Sequence, residues 1–159
     1  MRKRLTSEAA ASPPDTPRAD EWLDLENLAR VEVSSEDAAH PVEEALLTRQ
    51  DEGWRAAHSG EQTIRIIFDR PQRIRHIVLV FEEKHVERNQ EFVLRWRREG
   101  ARDFRDIARQ QWNFSPSGSV REVESYRVDL VDADELALTI VPERSGGPAR
   151  ASLAEWRMA

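Results

Sequence analysis

Residues 62–81 hold two apolar-patterned segments with a proline between them, and few folds accept that combination. Gln62-Thr63-Ile64-Arg65-Ile66-Ile67-Phe68-Asp69 alternates: Ile64, Ile66 and Phe68 face one way, Thr63 and Arg65 the other. A period of two is the pattern of a strand buried on one face. Pro71 follows, and a short turn is expected there, because proline fixes its own φ and offers no N–H to a ladder. Ile74-Arg75-His76-Ile77-Val78-Leu79-Val80-Phe81 then turns apolar on both faces and β-branched at Ile77, Val78 and Val80. That composition fits a central strand.

The same period recurs downstream. Phe92, Leu94 and Trp96 alternate with Val93, Arg95 and Arg97; residues 104–112 and 123–130 read as weaker strands. Leu136, Leu138 and Ile140 alternate until Pro142, and residues 151–158 read as one closing strand after the Ser145-Gly146-Gly147-Pro148 turn. Upstream, residues 29–34 form a first short strand. Trp22, Leu25 and Leu28, three apart, suit a helical turn or irregular cap laid on the domain. Pro41-Val42-Glu43-Glu44-Ala45-Leu46-Leu47 reads as helix with proline in its first turn. About eight strands and almost no long helix predict an all-β antiparallel sandwich. Trp54 and Trp96 are expected in its core, and Trp22 and Trp156 are expected to pack together where the two ends meet.

Residues 1–20 are rich in Ala, Ser, Pro and charge and are expected to be a disordered tail. Met1-Arg2-Lys3-Arg4 is basic, but no apolar segment follows, so a signal peptide is not expected. Residues 21–159 are expected to be a single β-sandwich domain. The formal net charge of −6 makes a nucleic-acid partner unexpected, since such binding needs cations to displace counterions. Arg95, Arg97, Arg98, Arg102, Arg105 and Arg109 cluster in sequence, yet Glu99, Asp103 and Asp106 dilute them into a solvated strand face. The chain has no cysteine, which rules out disulfides and thiolate metal sites and points to a reducing, cytoplasmic setting. A monomer is expected.

Enzyme signatures are missing: there is no Gly-rich phosphate loop and no G-x-S-x-G elbow. Glu82-Glu83 and Asp132, Asp134 and Glu135 read as strand-end and hairpin-turn carboxylates. His40, His58, His76 and His85 lack the short spacings of a zinc site. A catalytic function and a transition-metal cofactor are therefore not expected.

Several segments together resemble the discoidin family, the coagulation factor 5/8 type C domains among the galactose-binding-like jelly rolls. They are Ser34-Ser35-Glu36 after the first strand, Trp54 ahead of the alternating strand, the late pair at 127–130 and 136–142, and Ala151-Ser152-Leu153-Ala154-Glu155. The resemblance covers about residues 29–158 and implies a jelly-roll topology and a non-catalytic binding module. A carbohydrate is the lead ligand it implies, and a cytoplasmic protein-interaction adaptor or accessory subunit is the alternative. Many members hold a structural calcium ion between an Asp/Asn/Thr-rich loop and the closing Glu. By resemblance Asp51 and Glu155 are the candidate oxygen ligands here. The family's loop spacing is missing, however, and Arg49 brings a positive charge.

The resemblance also places ligands at loops on one end of the sandwich. In this chain those are residues 55–60 and 82–90, with Arg55, His58, His85, Arg88 and Asn89 as candidate contacts. Trp112 is added from the residues themselves. Gln110-Gln111-Trp112-Asn113-Phe114 runs toward a loop, and an exposed indole beside amides suits the C–H face of a sugar. Val86 is the only apolar residue at the tip of the second loop, so membrane insertion is not expected.

Overall fold

The computed structural model of the chain describes residues 21–47 and 52–159. The expected tail and Asp51 lie outside the described residues. The elements are α1 (Leu25–Leu28), β1 (Ala29–Val33), α2 (Glu43–Leu46), β2 (Trp54–Ser59), β3 (Gln62–Glu82), β4 (Arg88–Arg98), β5 (Arg105–Phe114), β6 (Arg121–Val141), β7 (Arg150–Leu153) and β8 (Glu155–Met158).

Two long strands organise the sandwich. β3 and β6, of 21 residues each, pair antiparallel from Gln62↔Ile140 to Glu82↔Arg121. Their first-paired halves run through the path β1-β3-β6-β4-β5 of a six-stranded sheet, to which β8 adds as a second neighbour of β3. Farther along β3, β8 replaces β1 on the free edge, so the same two strands also frame the opposite layer. β2 and β7 form a separate antiparallel ribbon.

Pro71 does not turn the chain back, contrary to the sequence expectation. The pairing advances from Ile67↔Glu135 to Gln72↔Ala133, so β3 bulges there and continues in the same direction. Proline's missing N–H falls in a stretch that pairs with nothing on β6, which is where a strand tolerates it. The carboxylates at 132–135 likewise lie within β6 rather than in a hairpin turn. Asp132 adopts a φ of 57°, and its carbonyl accepts the Glu99 N–H at 2.9 Å.

The period-two readings hold. Ile64, Ile66, Ile77, Leu79, Phe81, Leu94, Leu136, Leu138 and Ile140 are fully buried in one cluster with Trp54 and Trp156. Phe81 and Phe92 stack at 5.1 Å, joining the two layers. Each large side chain so placed contributes roughly 1.5–3 kcal/mol. Trp96 is only half-buried against this cluster, two residues before β4 ends. The ends of the domain do meet, with the Leu23 N–H donating to the Met158 carbonyl at 2.8 Å. Trp22, however, packs edge-on against His76 at 6.1 Å, while Trp156 lies wholly inside the core.

The expected single closing strand divides at Ala154. β7 joins β2, β8 joins β3, and the Ala154 N–H donates to the Val80 carbonyl at 2.8 Å between them. Gly53 sits against this switch. A Cβ there would lie 2.4 Å from the Leu153 carbonyl oxygen and 2.7 Å from the Ala154 Cα, and its φ is +88°. Only glycine fits both constraints.

The arginines of β4 and β5 are largely neutralised in place. Arg95 pairs with Asp106 at 2.9 Å, Arg97 with Asp134 at 3.2 Å and Arg109 with Glu91 at 2.8 Å. No helix among the described residues is long and apolar enough to cross a membrane.

Candidate functional site

The β2–β7 ribbon buries every second residue. Trp54 and Ala56 on β2, with Ala151 and Leu153 on β7, point into the core; Arg55, Arg150 and Ser152 point out. The register sets Arg55 opposite Ser152. Arg150 lies two residues from Ser152 on the same face, since side chains alternate along a strand. The end of β3 at Glu82 and the connection to β4, carrying Glu83, Lys84 and His85, stand against this face. His40, from the segment before α2, closes a third side. Together with Glu52, Gly53 and Trp54 these residues line a cleft of about 150 Å³.

Backbone pairing on one side and a buried arginine on the other hold its walls. The His40 carbonyl accepts the Arg55 N–H at 3.2 Å, and the Asp37 N–H donates to the Arg55 carbonyl at 2.8 Å, tying the segment before α2 to β2. On the other wall Arg88, 2% exposed, donates from Nε to Glu83 Oε1 at 2.9 Å. Its Nη1 donates to Gln90 at 3.0 Å and to the Pro142 carbonyl at 2.9 Å, and its guanidinium lies 4.7 Å from the Phe114 ring centroid. A buried charge is stable only when paired and hydrogen-bonded to this degree. Glu83 in turn accepts the His85 N–H at 3.3 Å, so Arg88 shapes the connection from beneath.

The proposed contacts therefore separate. Arg55 and His85 come together in the cleft. His58 lies exposed farther along β2, within a strand and not in the expected loop, and is not among the residues lining the cleft. Arg88 faces the interior and is not a loop-surface group. Asn89, on the opposite side of β4, donates its amide to Asn113, and its N–H is held by Glu143 at 2.9 Å. That bond and the Ser145 N–H keep the Glu143 carboxyl below the usual range.

Trp112 is not an exposed loop ring. β5 extends through Phe114, and Trp112 pairs with Gln90 on the interior-facing side of that strand. It is half-buried against the core, its Nε1–H buried without a partner among the described residues. Sequence reasoning overlooked His40, Lys84, Arg150 and Ser152. The alternation of Arg150-Ala151-Ser152-Leu153 is the signal that two polar side chains share the outer face there.

Behind the cleft the polar network continues inward. Gln90 Nε2 donates to Glu122 Oε1 at 3.4 Å, and Glu122 Oε2 is buried without a partner among the described residues. Burial, reinforced by neighbouring Glu124, pushes the Glu122 carboxyl up to about 8, although Gln90 and Arg88 oppose the shift. Burial also raises the Tyr126 phenol, with the Glu124 carboxylate acting in the same direction.

Of the two candidate calcium ligands only Glu155 lies among the described residues. Glu155 pairs with Arg157 on β8, and the neighbouring Glu82 pairs with Arg121 at 2.5 Å. Among the described residues no group of three or more His, Asp or Glu side chains is placed to hold a metal ion.

A sandwich whose long strands serve both layers, with a polar cleft over a short ribbon, defines a galactose-binding-like domain of the discoidin type. Solved structures with this fold include a pectin binding carbohydrate binding module at 18% identity and a TM-score of 0.59, covering 82% of this chain and 89% of that one. A family 32 carbohydrate binding module from C. perfringens NanJ, solved with galactose, shares 14% identity at a TM-score of 0.59, covering 82% and 92%. The F5/8 type C domain of a Bacteroides fragilis protein shares 15% identity at 0.58, covering 86% and 93%. The search of curated proteins found no sequence match. Residues 25–141 match the family model of the XRCC1 N terminal domain, and the chain belongs to that family.

Proposed function

We propose that this domain is a non-catalytic binding module that takes a saccharide in the cleft over the β2–β7 ribbon. The observation that carries the reading is the cleft's lining. Donors on Arg55, His40, His85 and Lys84 share the cleft with acceptors on Glu52, Glu82 and Ser152. A few fixed polar groups on a firm scaffold suit a ligand made of hydroxyls. Pectin and galactose, the ligands named for two solved modules of the same fold, support the choice of class. Recognition rests on hydrogen bonds and not on a stacked ring, since Trp54, the aromatic of the cleft, is 1% exposed.

A glycan array followed by calorimetric titration tests the proposal. A saturable saccharide whose affinity falls about tenfold in Arg55→Ala, the loss of one charge-assisted hydrogen bond, is the expected result. Failure to bind any saccharide overturns it.

The second reading is a cytoplasmic protein-interaction adaptor. A groove of about 340 Å³ on the outer face of the β3-β6-β4-β5 part of the sheet, lined by Glu91, Val93, Arg95, Arg109, Thr139 and Val141, favours it. A partner whose binding is lost in Val93→Glu, with the fold intact, would support that reading.

A further inference from the structure

We infer that the cleft selects a carboxylate-bearing sugar, a uronate, over neutral saccharides; the inference rests on the saccharide reading above. The ground is an imbalance of charge inside an acidic chain. Two of the three carboxylates in the cleft are already neutralised from outside it, Glu82 by Arg121 at 2.5 Å and Glu83 by buried Arg88 at 2.9 Å. Glu52 stands 3.8 Å from His40. Arg55, Lys84 and Arg150 line the same cleft and have no ion-pair partner among the described residues. Most other arginines of the domain are matched, as those of β4 and β5 show.

Three uncompensated cations on one concave surface, in a chain of net charge −6, mark a local positive field. Arg55 and Arg150 project from neighbouring strands on one face, so one planar guanidinium can grip a carboxylate through two N–H donors while the other groups meet hydroxyls. Glu52, the cleft carboxylate not paired with an arginine, decides between anions: it accepts a hydroxyl donor from a sugar ring but repels the higher charge density of a phosphate or a polyphosphate chain. A monoanion with many hydroxyls satisfies both sets of groups.

The test titrates the full chain with galacturonate di- and trisaccharides, their methyl esters, the matching galactose oligosaccharides and inorganic phosphate. The acids are expected to bind about tenfold tighter than the esters, and added salt should close that gap as exposed charges are screened. Lys84→Gln and Arg150→Gln, both on exposed side chains, are expected to weaken binding of the acids about tenfold and of the esters by less, so that the acid preference is lost while the melting temperature is kept. Equal binding of acid and ester overturns the uronate inference and leaves the saccharide reading standing. No binding by any sugar overturns both. Phosphate competing as strongly as the uronate shows a general anion site and also overturns the inference.

Discussion

Arg88 reaches Glu83 with a 2.9 Å hydrogen bond from a position that is 2% exposed, so the charge that shapes the cleft wall is hidden beneath it. The two residues are five apart in sequence and span the connection between β3 and β4. Arg88→Ala would strand the Glu83 carboxylate and leave Gln90 and the Pro142 carbonyl without their donor. A loss of about 3 kcal/mol is expected in urea unfolding, the usual effect of removing one partner from a buried pair. Arg88→Lys should recover only part of it, because an ammonium cannot span three acceptors in one plane.

Gly53→Ala is expected to destabilise the domain by about 2 kcal/mol or more, since positive-φ strain and backbone overlap with Leu153 and Ala154 act together. Gly60→Ala is the control. It shares a φ of +88° but has open space around its Cβ direction, so its cost in thermal unfolding should be smaller.

The raised Glu122 carboxyl links stability to pH. Between its ordinary value of 4.5 and about 8, the folded state holds a proton that the unfolded chain releases. Stability is therefore fullest below about pH 4.5 for this group and declines as pH rises toward 8, by a few kcal/mol at about 1.4 kcal/mol per unit. Glu122→Gln keeps the shape without the ionisation. Melting temperatures from pH 5 to 8.5 should slope less in the variant, and equal slopes would show that Glu122 ionises freely in the folded state.

Trp112→Ala should lower stability by about 2 kcal/mol, through the cavity left in a half-buried site, with ligand affinity unchanged. Trp112→Phe should cost less, because it also removes a buried N–H that has no partner among the described residues. A loss of affinity without a loss of stability would return Trp112 to the binding surface.

Treatment with EDTA should shift the melting temperature by less than about 1 °C, since a cation that does not bind the folded state cannot stabilise it. The Glu155–Arg157 pair is the reason to expect no such binding. A large downward shift would place a cation near the segment that precedes Gly53.

Much of the fold is legible in the one-dimensional pattern. Ile64, Ile66 and Phe68, and Leu136, Leu138 and Ile140, name their own buried faces, because side-chain direction in a strand depends only on position along it. The candidate site was half legible. Arg55 and His85 have the right chemistry and come together, but Arg88 has the same chemistry and points inward. Its direction depends on Phe114, Gln90 and Pro142, which belong to three different segments. Trp112 was misplaced for a related reason: β5 runs two residues farther than its polar composition suggests, because pairing with β4 overrides weak local preference.

The sequence by itself determined the alternating strands, the apolar core and the absence of thiol chemistry, all of which are local or compositional properties. The tertiary structure alone decided that Pro71 bends a continuous strand, that the closing segment divides at Ala154, and that His40, Arg55, Lys84, His85 and Arg150 share one cleft. The physical reason is that a cleft is a meeting of segments distant in the chain. Which of them meet is set by the pairing of β2 with β7 and of β3 with β8, long-range contacts that no local period encodes.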